Sequence, residues 1–298
     1  MFRGSYMKTE DVTLTSDQVG KVAEILKKLR PAYASLLDFH KQVFSAQEDS
    51  RNQLDIKPIQ IPKERLIIKS KEKLPLINMS EFVIDTEEAT KLFRKICSIA
   101  EGANEVMAVS AKGIIKAIEI GKLDLNMLFS KILVEDDILF EKIAGEFEID
   151  RKVLAFITYN SIKPSLSVCA SQLSTYLDKN KSWEMGYCPI CGSLPVLSTF
   201  ENEGKRFLFC SFCWHKWPVQ RIYCPFCNNK DNTTLHYFQI EEEQEYRLDV
   251  CDNCKKYIKA VDTREIERIF YPPLEEVATL HLDIKAKEMG FEGGVQPA

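Results

Sequence analysis

The chain has 298 residues, of which 45% are hydrophobic and 28% charged, with a formal net charge of −4. That length admits two domains with their own cores, and the composition is that of a globular chain rather than a disordered one. No apolar run reaches the roughly eighteen residues of a membrane helix. The opening "MFRGSYMKTEDVTLTSDQVG" lacks the apolar core of a secretory signal, so the expected location is the cytoplasm. The stretch "MFRGSY" before Met7 is left out of the fold reading.

Residues 1–182 read as a helical domain. "SDQVGKVAEILKKLRPAYASLLDFHKQVF" offers Ser16 as an N-cap and repeats Val19, Val22, Ile25, Leu26 and Leu29 at helical spacing. Pro31 should break this helix before a continuation through Leu36, Leu37 and Phe39. Pro58, Pro62 and Pro75 make the following stretch an extended linker with at most a short helix. Helices resume with Thr86 as cap, then over "EVMAVSAKGIIKAIEIG", then from about Asp124. A last helix, "DRKVLAFITYNSIKPSLSVCASQLSTYLDK", should be interrupted at Pro164. The apolar stripes are those of a helix bundle, and no nucleophile–base set or metal spacing occurs in this half.

The character changes at "NKSWEMGYCPICG", which places a domain boundary near residue 183. Residues 183–298 hold short β-rich stretches, aromatics and cysteine pairs. They end in an amphipathic helical segment, "PLEEVATLHLDIKAKEMG", with Leu274, Val277, Ala278, His281 and Leu282 on one face and Pro272 and Pro273 at its start. The fold class is therefore α+β: a helical domain, then two small cysteine-rich modules and a C-terminal helix.

Eight of the ten cysteines form four Cys-x-x-Cys pairs: Cys188/Cys191, Cys210/Cys213, Cys224/Cys227 and Cys251/Cys254. In a reducing compartment this pattern favours metal over disulfides. A Cys-x-x-Cys turn aims two thiolates at one point, and two such turns complete a tetrahedron. Between the first two pairs, "GSLPVLSTFENEGKRFLF" reads as strand, turn and strand. Between the last two, "LHYFQI" and "YRLDV" again flank a polar turn. The pattern is an internal repeat of knuckle, hairpin, knuckle. It pairs Cys188/Cys191 with Cys210/Cys213, and Cys224/Cys227 with Cys251/Cys254. A crossed arrangement, joining 210/213 to 224/227 and the outer pairs to each other, is the alternative.

Four thiolates suit iron and zinc alike and leave no open position for hydrolytic chemistry. Two tetrahedral metal ions, iron or zinc, each bound by four cysteines, are therefore expected. His215 beside a knuckle reads as a solvated residue rather than a ligand. Cys97 and Cys169, alone in apolar helical contexts, read as buried small hydrophobes. Trp217 and Tyr223 suit a small core between the modules, with the remaining aromatic and basic residues of 214–223 left as a partner surface.

The stretch "YCPICGSLPVLSTFENEGKRFLFCSFCWHKWPVQRIYCPFCNN", the later "CDNCKKYIKAVDT" and "LEEVATLHLDIKAKEMGF" resemble the formate dehydrogenase accessory protein family, FdhE, over about residues 183–291. The resemblance implies a helical domain followed by two rubredoxin-like or zinc-ribbon modules. It also implies a cytoplasmic assembly factor that binds the catalytic subunit of a molybdenum- or tungsten-containing formate dehydrogenase. The eight cysteines then fall on the family's metal-binding positions. Arg206, Trp217 and Arg221 match the basic and aromatic positions around the seam, and so are candidates for partner binding.

Two other classes compete. A nucleic-acid binder needs a basic surface, but residues 183–298 carry 13 Lys and Arg against 18 Asp and Glu, and each tetrathiolate site adds negative charge. A rubredoxin-like electron carrier using Fe(Cys)4 sites is the alternative function, and the helical half then exceeds what a carrier needs. There is no phosphate loop, no zinc-protease helix motif and no triad, so no catalytic residue is assigned and the chain is read as a non-enzyme.

Overall fold

The computed structural model describes residues 14–178, 183–241 and 243–295. The reading of "MFRGSY", and the segment 179–182 beside the expected domain boundary, lie outside the described residues. No described helix is long and apolar enough to cross a membrane.

The helical half holds α1 (Ser16–Leu29), α2 (Ala34–Arg51), α3 (Lys63–Lys71), α4 (Thr86–Ala100), α5 (Glu105–Glu119), α6 (Leu125–Ile132), α7 (Asp137–Phe147) and α8 (Arg151–Ser174). Its caps explain its boundaries. α1 starts from Thr15, one residue before the expected Ser16, because only from there does Gln18 stand at the third helical position and complete a capping box. α4 is likewise capped by Asp85 rather than Thr86, with its Oδ1 accepting from the Glu88 amide at 3.1 Å. α6 starts after Asp124. α7, capped by Asp136, is not singled out by the periodicity of the sequence. Pro31 does end the first helix, opening a 3-10 turn over Pro31–Tyr33.

The expected break at Pro164 is absent: α8 runs unbroken through it. A proline there removes the N–H that would bond the Asn160 carbonyl. The Gln47 side chain of α2 donates to that carbonyl instead, at 2.8 Å, in a buried setting. α8 is accordingly the central helix, with α2, α4 and α5–α7 packed around it.

The sheet half holds β1 (Pro195–Glu201), β2 (Lys205–Cys210), β3 (Lys216–Val219), β4 (Leu235–Gln239), β5 (Tyr246–Cys251) and β6 (Lys256–Asp262). The two expected hairpins, β1–β2 and β4–β5, are present and antiparallel. They do not stand apart. β6 pairs antiparallel with β5 and parallel with β1, joining both modules into one sheet of order β3-β2-β1-β6-β5-β4. The short β7 (Glu292–Gly293) lies parallel beside the start of β6. The C-terminal helical segment is two helices, α9 (Pro272–Ala278) and α10 (Leu280–Glu288), turned at Thr279, whose hydroxyl donates to the Glu275 carbonyl at 2.8 Å.

One hydrophobic core spans α1–α9 and the first module, taking in Leu92, Phe93, Leu154, Leu166, Ile190, Leu208, Trp217 and Leu274. A second core under β5, β6 and α10 gathers Leu248, Val250, Val261, Leu282 and Ala286. The linker also docks on the first knuckle: the Leu76 and Ile77 amides donate to the Pro189 and Ile190 carbonyls at 2.9 and 3.0 Å.

Candidate metal centres

Each knuckle is built the same way. The cysteine opening it donates its amide back to a carbonyl five residues on: Cys188 to Ser193, Cys210 to His215 and Cys224 to Asn229, at 2.9 to 3.0 Å. The residue just after the second cysteine has a left-handed backbone in all four cases, at Gly192, Trp214, Asn228 and Lys255. Gly192 also sits against Pro75, which a Cβ would meet at 3.0 Å, so the first knuckle needs glycine there for shape and for conformation. These turns point backbone N–H groups at sulfur. The Phe212 and Cys213 amides donate to Cys210 Sγ at 3.3 and 3.4 Å, and the Ile190 amide to Cys188 Sγ at 3.4 Å.

The four knuckles close on two points. Cys188, Cys191, Cys210 and Cys213 form one group and Cys224, Cys227, Cys251 and Cys254 the other, with the sulfurs of each group within 4.8 Å of one another. Closest S···S separations are 3.5 to 3.7 Å in the first group and 3.6 to 3.7 Å in the second. A tetrahedron with metal–sulfur bonds of about 2.3 Å has edges of about 3.8 Å, so both groups fit an M(Cys)4 centre. The thiols of 210/213 and 224/227 belong to different groups, so the stretch between them is a seam and not a site. His215 belongs to neither group.

Electrostatics points the same way. Burial pushes the Cys188 and Cys213 thiols far up, while hydrogen bonds from Cys188, Cys210 and Cys213 hold Cys191 well below the ordinary thiol range. Four enclosed sulfurs at such distances cannot all ionise unless a cation lies among them. The second group is more open, with Cys227 and Cys254 partly exposed. Burial raises the Cys227 thiol, but bonds from the Asn253 side chain and the Asn229 amide, with Cys254 and Cys224, outweigh it and bring it down to about 7. The Asn229 and Asn253 side chains stand 3.6 and 3.5 Å from Cys251 and Cys227 sulfur. Both centres are closed four-thiolate sets, suited to structure or electron transfer and not to activating water.

Two of the three candidate partner-binding residues, Arg206 and Trp217, lie inside. Arg206 is 3% exposed: its Nε donates to Ser198 Oγ at 3.0 Å, its Nη1 donates to the Tyr223 carbonyl at 2.7 Å, and its Nη2 lies 2.9 Å from Asp249 Oδ2. That last contact is an ion pair off the hydrogen-bond direction. Trp217 is 1% exposed and packs in the main core, donating Nε1–H to the Met185 carbonyl at 3.3 Å. Of the three candidate partner-binding residues only Arg221 is exposed, beside Ile222 and across a small hollow from Tyr237. Cys97 and Cys169 are fully buried in the helices, as their apolar settings imply, and burial raises both thiols, Cys97 to about 12. Tyr159 of α8, which no local pattern marks, donates to the Phe212 carbonyl at 2.6 Å and ties the second knuckle to the bundle.

Fold and site together define a helical protein carrying two tetrathiolate modules of the rubredoxin or zinc-ribbon type. Residues 187–221 match the family model described as FdhE, central domain, and residues 222–296 that of FdhE, C-terminal domain. These matches over residues 187–296 support the FdhE family. It is 28% identical over 260 residues to the protein FdhE homolog of Aquifex aeolicus, covering 86% of this chain and 82% of that one. With the FdhE homolog of Haemophilus influenzae (strain PittEE) it shares 26% over 226 residues, 74% and 70% of the two chains. The crystal structure of the FdhE protein from Pseudomonas aeruginosa superposes with a TM-score of 0.64 at 18% identity, over 96% of both chains, a likeness of fold.

Proposed function

We propose that this chain is a cytoplasmic accessory protein that binds the catalytic subunit of a formate dehydrogenase during its assembly. The observation that carries the reading is the pairing of two closed tetrathiolate centres with a large helical body, in a chain that matches the FdhE family models. Closed centres do not turn over substrate. In this reading residues 1–182 form the helical domain and residues 183–298 the double tetrathiolate domain, with all eight paired cysteines as ligands to iron or zinc. The exposed part of the seam, Arg221 with Ile222 and Tyr237, offers the mixed basic and aromatic surface that protein interfaces use. The test is co-purification of the metal-loaded chain with a formate dehydrogenase catalytic subunit in cofactor-free and mature forms. Tighter binding of the cofactor-free form is expected, and no binding of either at micromolar concentration sinks the reading.

The openness of the second centre favours a second reading, a rubredoxin-like electron carrier, because Cys227 and Cys254 bring that centre to the surface. Anaerobic protein showing a thiolate-to-iron absorption band that bleaches reversibly on reduction supports it. Colourless, zinc-loaded protein rules it out.

A further inference from the structure

Between α8 and the sheet lies a cavity of about 270 Å³ that borders the first thiol cluster at Cys213. One wall is a single face of α8, where Lys163, Ser167 and Ser171 follow one another at four-residue spacing. The opposite walls are the loop from Trp214 to Lys216 and the approach to α9 from Phe270 to Pro273. Most charged groups in it are already matched. Arg51 stands 3.1 Å from Glu48, which also accepts from the Tyr271 hydroxyl at 2.9 Å, and Lys216 pairs with Glu201 at 2.7 Å.

Lys163 is the exception. It is only 9% exposed, and its Nζ has no hydrogen-bond acceptor and no ion-pair partner among the described residues. The amine lies over two aromatic rings, 4.8 Å from the centre of Phe44 and 4.6 Å from that of Trp214. Ring faces stabilise a cation but are not strong hydrogen-bond acceptors. Buried amines are otherwise paired.

We propose that this cavity binds a carboxylate, with Lys163 Nζ as its ion-pair partner and the Ser167 and Ser171 hydroxyls as further donors. The charge balance favours a carboxylate over a phosphate. Glu48 and Glu201 line the same space, so a second negative charge on the ligand meets two carboxylates for one unpaired ammonium. Trp214, Phe270 and Pro273 supply an apolar wall for the hydrocarbon that bears the carboxylate. The carboxylate belongs either to a free organic acid or to an acidic side chain of a peptide.

Calorimetric titration of the full metal-loaded chain separates these. The probes are butyrate, an acetylated and amidated Ala-Ala-Glu-Ala-Ala peptide, the neutral counterparts butyramide and the Gln peptide, and inorganic phosphate. Saturable binding of butyrate, of the Glu peptide or of both is expected, with the neutral counterparts silent. Butyrate alone identifies a free acid as the ligand, and the peptide alone an acidic side chain. Lys163→Met should weaken binding roughly tenfold or more, as loss of one member of a buried charge pair does. Ser171→Trp, which fills the cavity and keeps the amine, should do the same. Both variants are checked for unchanged circular dichroism and metal content. The proposal fails if neither acid binds at about 20 mM, a weak-affinity ceiling. It also fails if phosphate or a neutral counterpart binds as well as the acids, or if a folded Lys163→Met protein binds undiminished.

Discussion

The Gln47 amide nitrogen stands 2.8 Å from the carbonyl oxygen of Asn160, the acceptor left without a helical partner by Pro164. The same nitrogen lies 3.0 Å from Asn160 Oδ1, so one side chain from α2 serves the whole defect in α8. Gln47→Leu strands a buried carbonyl and should cost about 1–3 kcal/mol of stability. In a Pro164→Ala background the helix regains its own donor, and the same substitution should cost clearly less. Urea unfolding of the four proteins of this cycle checks it; equal costs in both backgrounds disprove the link.

The two centres should empty independently and with different consequences. Cys188→Ser and Cys254→Ser should each retain roughly half the metal. Because the Leu76 and Ile77 amides bond the first knuckle, hydrogen exchange there should accelerate in Cys188→Ser and stay slow in Cys254→Ser. A chelator should strip the second centre first, since Cys227 and Cys254 reach the surface and the first centre lies within the main core. Simultaneous loss of both ions from either single variant contradicts this.

Arg206 and Arg221 should separate stability from binding. Arg206→Met leaves Asp249 with Arg247 as its remaining cation and removes the bonds to Ser198 and the Tyr223 carbonyl, so a loss of about 1–3 kcal/mol is expected. Arg221→Ala, at an exposed position, should change stability by less than about 0.5 kcal/mol. If Arg221 belongs to the partner surface, its replacement weakens complex formation at unchanged melting temperature. A melting temperature that falls equally in both variants removes the distinction.

Burial brings the Lys163 ammonium down to about 7, against the attraction of Glu48 and Glu276 and helped by the repulsion of Arg51. Below that pH the amine is charged in both the folded and unfolded chain, and the full cost of burying it is present. Between about 7 and the unfolded value of about 10.4 the unfolded chain holds a proton that the folded chain lacks, so stability rises with pH. Above that range the cost is gone. Lys163→Met should therefore stabilise the protein by roughly a few kcal/mol at neutral pH and below, an advantage that fades toward pH ~10.4. Denaturant midpoints of both proteins across this range test it, and a gain independent of pH refutes it.

The thiol clusters were legible because each depends on short-range spacing: a knuckle is four residues, and a hairpin returns the chain to its partner within about twenty. Helix existence was legible for the same reason, through caps and stripes. What escaped the sequence depends on distant partners. Pro164 looks like a break because the Gln47 side chain that compensates for it lies 113 residues before Asn160, whose carbonyl Pro164 strands. Arg206 looks like a surface cation because Asp249, its counter-ion, lies in the other module. The fusion of the modules rests on a parallel pairing of β1 with β6, which no turn residue announces. Lys163 sits in an ordinary helical stretch, and only the packing around it reveals an amine that meets two rings and no acceptor among the described residues.

That parallel pairing also bears on how the chain is made. Leu197 of β1 lies opposite Lys259 of β6, 62 positions further along. A ribosome therefore releases all four cysteines of the first cluster well before the strand that covers β1 on its other side. For that interval the nascent first module can gather its thiols around an ion while one sheet edge stays open. An exposed edge on an unfinished chain is a place for wrong strands to pair, so rapid capture of metal at Cys188 to Cys213 would shorten the hazard by fixing the β1–β2 hairpin before β6 arrives.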